Sequence, residues 1–218
     1  ITHWEQVANV AVKNPQVVAA APYVNAQGML SYNQVVRGVI VRGIVPDAEN
    51  TVADFSNMMM MGELNQLQAG EFGIVIGLEL ARALGTFPGD KIVLISPQGQ
   101  VTPAGILPRL KQFTVIGVFE AGHYEYDSGL ALIHLVDAQK LYRMEPDQVS
   151  GVRLKLHDLF EAPKVVRELS ALFSSNTYIS DWTQQHTNYF RAIQIEKRML
   201  SLILALIIAV AAFNIVST

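Results

Sequence analysis

The chain has 218 residues, half of them hydrophobic, a formal net charge of −3 and no cysteine. Disulfides and thiolate metal sites are therefore excluded, and no basic tract points to nucleic acid. The first ~180 residues suffice for one compact domain or two small ones.

Thr2 to Lys13 carries Trp4, Val7, Ala8, Val10 and Ala11 near helical spacing, and Asn14-Pro15 ends that helix. This opening is amphipathic and too polar for the apolar core of a signal peptide. Gln16–Val24, Gly28–Tyr32 and Gln34–Val45 read as three strands, with Pro22 marking an edge or a bulge. Residues 46–53 read as a polar linker. Phe55–Leu67 contains four consecutive methionines, Met58 to Met61. They cannot all point inward, so one or two are expected on the surface, as core filler that spills over or as a soft apolar contact. Phe72–Ile76 is a predicted strand, Gly77–Leu84 a short helix, 85–90 a turn and Lys91–Ile95 a strand. Phe113–Phe119 and Gly129–Leu135 are predicted strands and Val136–Tyr142 a helix. Gly151–Leu156 alternates like a strand. Ala162–Phe173 is an amphipathic helix with Pro163 in its first turn. Thr177–Ser180 is a predicted strand. A helix from Asp181 meets no breaker before Thr218.

Within that helix, Met199 to Val216 holds no charge, and only Ser201 and Asn214 interrupt its apolar character. A surface helix needs a polar side, so a buried core helix is the weaker reading. About 18 such residues cover roughly 27 Å, enough to cross a hydrocarbon core. The chain opens on Ile1 rather than Met and stops as this span finishes, so both ends are expected to be cut from a longer protein.

Enzymatic signals are thin. His3, His123, His134, His157 and His186 share no metal-ligand spacing. There is no GxSxG, HExxH or phosphate-binding P-loop. His123-Tyr124-Glu125-Tyr126-Asp127 could do acid–base work, or form the polar tip of a hairpin between two strands. His134 reads as a packed or edge residue. No cofactor is expected.

The connection Ser96–Gln112, SPQGQVTPAGILPRLKQ, is longer than a hairpin needs. Pro97, Pro103 and Pro108 stiffen it and argue against sheet pairing. Val101, Ile106, Leu107 and Leu110 make it apolar, Arg109 and Lys111 make it basic, and no acidic residue occurs among positions 91–119. It reads as an interaction finger or as a loop folded back on its own domain.

The ending EKRMLSLILALIIAVAAFNIVST (196–218) resembles the second transmembrane helix of the LolC/LolE family, the membrane subunits of lipoprotein-releasing ABC transporters of Gram-negative bacteria. The resemblance continues through RGI (42–44), GIVIGLELARALG (73–85) and FTVIGVFEAGHYEYDSGLALIHLVDAQKL (113–141), a middle pattern shared with the wider MacB-like permeases. TPAGILPR (102–109) is similar to the protruding Hook of the LolC branch. The resemblance implies an α+β MacB-like domain facing the periplasm from the inner membrane, followed by a transmembrane α-helix. Residues 1–48 and 149–182 would form a membrane-proximal Porter-like part. Residues 49–148 would be an inserted Sabre-like part carrying the Hook at 96–112, and 183–218 the stalk and transmembrane helix. It further implies docking of the periplasmic carrier LolA through Pro103, Ala104, Gly105, Ile106, Leu107, Pro108 and Arg109. The other implied partners are a LolE-like or identical membrane subunit, the separate cytoplasmic ATPase LolD and the lipoprotein substrate. The alternatives are a MacB-type efflux permease docking an adaptor protein, a membrane-anchored enzyme centred on His123, Glu125 and Asp127, and a plain structural anchor.

Overall fold

The structure is a computed structural model. It describes residues 1–102, 105–173, 177–182 and 187–216, the side chains at 98, 100–102, 105–106, 187–194 and 212–216 excepted. Two compact units result, Ile1–His157 and Asp158–Thr218.

The first unit opens with α1 (Trp4–Ala11), followed by β1 (Val17–Tyr32) and β2 (Val35–Ile44). The two strands expected within 16–32 are one. Asn25, Ala26 and Gln27 do not break it, because β2 pairs with each of them, at Arg42, Val41 and Ile40. Pro22 lies one residue before that pairing begins at Tyr23, where its missing N–H costs no bond to β2. Asn33 and Gln34, at φ 45° and 69°, close the two-residue hairpin turn.

The expected linker after β2 is a helix, α2 (Pro46–Val52). Pro46 occupies its first turn beside Asp47 and Glu49. Then come α3 (Phe55–Met58), β3 (Met59–Met61) and a 3-10 turn at Leu64–Gln66. As the methionine run demands, Met60 and Met61 stand exposed. β4 (Gly73–Gly77) is buried throughout, and α4 (Leu78–Leu84) stops at Gly85 in the left-handed region. β5 (Lys91–Thr102) and β6 (Gly105–Phe119) follow, then α5 (Tyr124–Gly129), β7 (Leu130–His134), α6 (Leu135–Tyr142) and β8 (Gly151–Leu156).

The strands run in the order β2-β7-β4-β6-β5-β1-β8, and β1 also pairs with β2. Six strands thus close into a ring. Strand β8 continues along β1 below β5, and β3 continues along β6. Side chains on one face of the ring, including Leu30, Val41, Ile76, Ile92, Leu94, Phe113 and Ile133, pack with Leu80 and Leu84 of α4 and Ala138 and Leu141 of α6. At Gly43 a Cβ would lie 2.4 Å from that of Ala138, so α6 sits directly on β2. Part of the opposite face is covered by α3 and the turn after it, through Ile44, Phe55, Leu64, Leu67, Val75, Phe119 and Leu132. Another part is covered by α2, whose Glu49 is buried, and toward the β1–β2 turn the face is open: Met29, Val36 and Ile40 are exposed, and a Cβ on Gly38 would meet nothing within 4 Å.

In the second unit, the Asp158 carboxylate accepts the Phe160 N–H at 2.8 Å and starts a 3-10 turn that leads into α7 (Ala162–Leu172). The helix buries Val165 and Leu169, one turn apart. Residues 177–180 are not the expected strand. They have no regular structure, since four residues without a partner strand gain too few hydrogen bonds. The Trp182 indole donates to the Leu159 carbonyl at 3.0 Å. The final helix is α8 (Thr187–Val216), whose large apolar side chains from Met199 to Val210 are exposed. Among the described residues, no helix is long and apolar enough to cross a membrane. The expected span runs past Ala211, the last residue of α8 whose side chain is described.

Candidate functional site

The segment expected as an irregular 17-residue loop is a β-hairpin. Strands β5 and β6 pair from Lys91↔Thr114 to Ser96↔Arg109, then again from Gln100↔Leu107 to Thr102↔Gly105. Between these two ladders, positions 97–99 face Pro108 alone. Two of the three prolines therefore sit in the irregularity, where a missing N–H removes no ladder bond. That is why the prolines do not abolish the pairing.

The hairpin changes character along its length. At its root, Ile92, Leu94 and Phe113 are buried. Around the Ser96↔Arg109 pair the hairpin turns outward: Leu110 just before it and Leu107 beyond it are 63% and 60% exposed, and Pro108 is exposed as well. Of the seven expected contact residues, Pro103 and Ala104 lie outside the described residues. Gly105 and Ile106 belong to the upper ladder by their backbone. Leu107 and Pro108 face solvent. Arg109 turns back: its Nη1 donates to the Leu141 carbonyl at 3.1 Å, and its Nε is buried with no hydrogen-bond partner.

Arg109 also lines an open groove of about 370 Å³ at the hairpin root, with Phe72, Leu110, Lys111, Lys140 and Leu141. Three cations line it and no carboxylate does. The Lys111 ammonium lies 3.7 Å from the centre of the Phe72 ring, a cation–π contact. Phe72 in turn meets Phe113 edge to face, with centroids 5.5 Å apart. Its backbone has φ 53°, uncommon for a bulky residue. Asp137 of α6 holds it there: the fully buried carboxylate accepts the Gly70 N–H at 2.8 Å and the Phe72 N–H at 3.2 Å. Sequence reasoning did not find Phe72, Asp137 or Lys140. They lie on segments remote from the hairpin, and only the fold joins them to Arg109 and Lys111.

The His123–Asp127 cluster is a short helix, α5, rather than a hairpin tip. Asp127 is buried, and its Oδ1 accepts the Ala121 N–H at 2.7 Å, so this carboxylate is committed to closing the preceding turn. His134 caps α6, its Nδ1 accepting from the Val136 N–H at 3.2 Å. Burial pushes its imidazole below the usual histidine range, against the opposing field of Asp137. Among the described residues, no group of three His, Asp or Glu side chains could hold a metal ion.

The MacB-like periplasmic core domain matches residues 2–172. A lipoprotein-releasing system transmembrane protein LolC of Neisseria meningitidis serogroup B is 44% identical over 218 residues, covering 100% of this chain and 52% of that protein. A LolC from Xylella fastidiosa is 40% identical over 99% of this chain and 51% of that protein. A LolE of Haemophilus influenzae is 28% identical over 100% of this chain and 52% of that protein. The chain spans about half the length of the curated relatives it matches. Among solved structures, the extracellular domain of the noncanonic ABC-type transporter YknZ from Gram-positive bacteria aligns with TM-score 0.55 at 15% identity, covering 81% of this chain and 83% of that one. The periplasmic region of MacB from Actinobacillus actinomycetemcomitans aligns with TM-score 0.51 at 14% identity, covering 77% and 73%. At such identities these two show a shared fold.

Proposed function

The chain belongs to the MacB-like periplasmic core domain family, in its LolC/LolE branch of permeases, and from that premise we propose that it is the periplasmic domain of a lipoprotein-releasing ABC transporter membrane subunit. In this reading the β5–β6 hairpin docks the periplasmic carrier LolA, so that lipoproteins drawn from the inner membrane are handed on toward the outer membrane. The observation that carries the reading is the hairpin itself. Its root is fixed in the core, Leu110 and the upper half's Leu107 and Pro108 are offered to solvent, and a groove with three cations and no acid lies at its base. A preorganised apolar arm loses little entropy on docking, and the cations favour an acidic partner surface.

The remaining parts follow the same premise. In this reading residues 1–48 and 149–182 are assigned to the membrane-proximal part, 49–148, whose strands β4 to β7 close one ring with β1 and β2, to the part with its Hook at 96–112, and 183–218 to the stalk and membrane-crossing helix. The apolar side chains of α8 stand exposed because lipid covers them. ATP hydrolysis belongs to a separate cytoplasmic subunit, LolD, and a LolE-like or identical subunit completes the membrane part.

The test is calorimetric binding of the organism's LolA to the full chain in maltoside micelles, beside a variant carrying Ile106→Asp, Leu107→Asp and Arg109→Glu. Binding by the wild type that the variant loses supports carrier docking at the hairpin. A folded wild-type chain that ignores LolA overturns it and favours an efflux-type permease whose hairpin meets an adaptor protein.

A further inference from the structure

Away from the hairpin, three charged side chains from three elements meet on the face of the ring covered in part by α2. Glu49 of α2 is fully buried, and its Oε1 accepts from Arg153 Nη1 of β8 at 2.6 Å. The sheet register sets Arg42 of β2 opposite Asn25 and Arg153 of β8 opposite Ala21, on either side of β1, so both start from the sheet face that carries Tyr23. Two guanidinium groups thus lie on one face with a single carboxylate, which bonds Arg153, and one positive charge is in excess. One donor and one acceptor of the cluster also lack partners. Arg42 Nε is buried without a partner, and so is Glu49 Oε2. Arg153 keeps 28% of its side chain exposed and lies over the Tyr23 ring at 5.8 Å, so the cluster opens to solvent on that side. The Tyr23 ring next to Arg153 ends in a phenol that can donate.

A purely structural ion pair does not call for the second arginine. A partly buried guanidinium with an unused edge and no carboxylate of its own is costly, and a residue without a ligand would be better apolar. Planar guanidinium edges match tetrahedral oxyanions, and one surplus charge matches one negative charge.

We propose that Arg42 and Arg153, backed by Glu49, form a binding site for a singly charged phosphate-type oxyanion. Glu49 neutralises and orients Arg153, Arg42 supplies the uncompensated charge, and Tyr23 bounds the mouth. The site is distinct from the hairpin groove and does not depend on carrier docking.

Two sources carry this chemistry, free phosphate and the phosphodiester headgroup of an anionic lipid. The experiment follows thermal unfolding of the full chain in maltoside micelles, in a phosphate-free buffer at constant ionic strength held with chloride. Sodium phosphate is titrated in one arm. In the other, the chain is placed in phosphatidylcholine vesicles with or without phosphatidylglycerol. Arg42→Met removes the surplus charge while leaving the Glu49–Arg153 pair intact, so this variant folds. A saturable rise in the wild-type midpoint with phosphate, with apparent affinity weakened roughly tenfold or more in Arg42→Met, assigns a free-anion site. A rise with phosphatidylglycerol alone, again lost in Arg42→Met, assigns the lipid headgroup. Equal responses of wild type and Arg42→Met in both arms, or none in either, overturn the proposal.

Discussion

Replacing Asp137 by alanine tests how the basic groove is built. The carboxylate is fully buried and accepts two backbone N–H groups, from Gly70 and Phe72. Hydrogen bonds to a charged acceptor contribute about 1.5–3 kcal/mol each. Gly70 is exposed and can turn its N–H to water, so its share is recovered in part. Phe72 is half-buried, held at φ 53° and tied by its ring to Phe113 and Lys111, so its N–H has no comparable escape. The expected loss is therefore about 3 kcal/mol rather than the full sum. Asp137→Asn keeps one acceptor oxygen and should lose about half as much. Urea unfolding of the three chains gives the stabilities. The second readout is the upfield ring-current shift of the Lys111 side-chain protons over Phe72, which should collapse in Asp137→Ala. A loss under about 1 kcal/mol, or an unchanged Lys111 shift, would show that the 70–72 turn holds itself and that α6 does not set the groove wall.

Glu49→Gln should destabilise the chain by about 3–5 kcal/mol in urea, because the cluster of two guanidinium groups loses its single carboxylate. Arg42→Met should leave stability unchanged or raise it in the same assay, since the arginine it removes has a buried Nε with no partner. His134, depressed chiefly by burial, contributes stability above the ordinary histidine range that is lost as pH falls through its lowered folded-state value. His134→Asn, which can still cap α6, should flatten that acid slope in unfolding midpoints measured from pH 7 downward. Gly43→Ala drives a Cβ against that of Ala138 and should cost about 1–3 kcal/mol by thermal unfolding.

The core of this domain was readable because its strands are short apolar runs bounded by glycines and turns, as in Gly73–Gly77 and Leu130–His134. What escaped were elements held by partners distant in sequence. PDAENTV carries no helical apolar stripe, yet α2 forms with Glu49 drawn into a buried pair with Arg153, 104 residues away. Asn25 to Gln27 lacks strand-formers but has β2 beside it. In the hairpin, prolines that act as breakers on average are harmless at the one irregularity where no N–H is required. The apolar and basic finger was legible because its residues are contiguous. Phe72, Asp137 and Lys140 were not, because nothing local marks them as neighbours of Arg109.

Arg109 links the finger to the groove, and its geometry limits what it can offer a partner. Nη1 is used on the Leu141 carbonyl and Nε is buried, so only the Nη2 side remains for a carboxylate. A two-pronged grip is therefore not available while the Leu141 bond holds. The same bond ties β6 to the C-terminal turn of α6, just where the exposed half of the hairpin begins. Arg109 is thus better placed to set the pitch of the arm than to serve as its main anchor. In the proposed docking the charge attraction would fall instead to Lys111 and Lys140, which are free of ion pairs among the described residues. A long arm carrying its own fastening at the root keeps Leu107 and Leu110 in a fixed direction before any partner arrives. In the docking proposed above, that order of posture first and contact second would let a small apolar tip bind without the entropy loss of organising the hairpin beneath it.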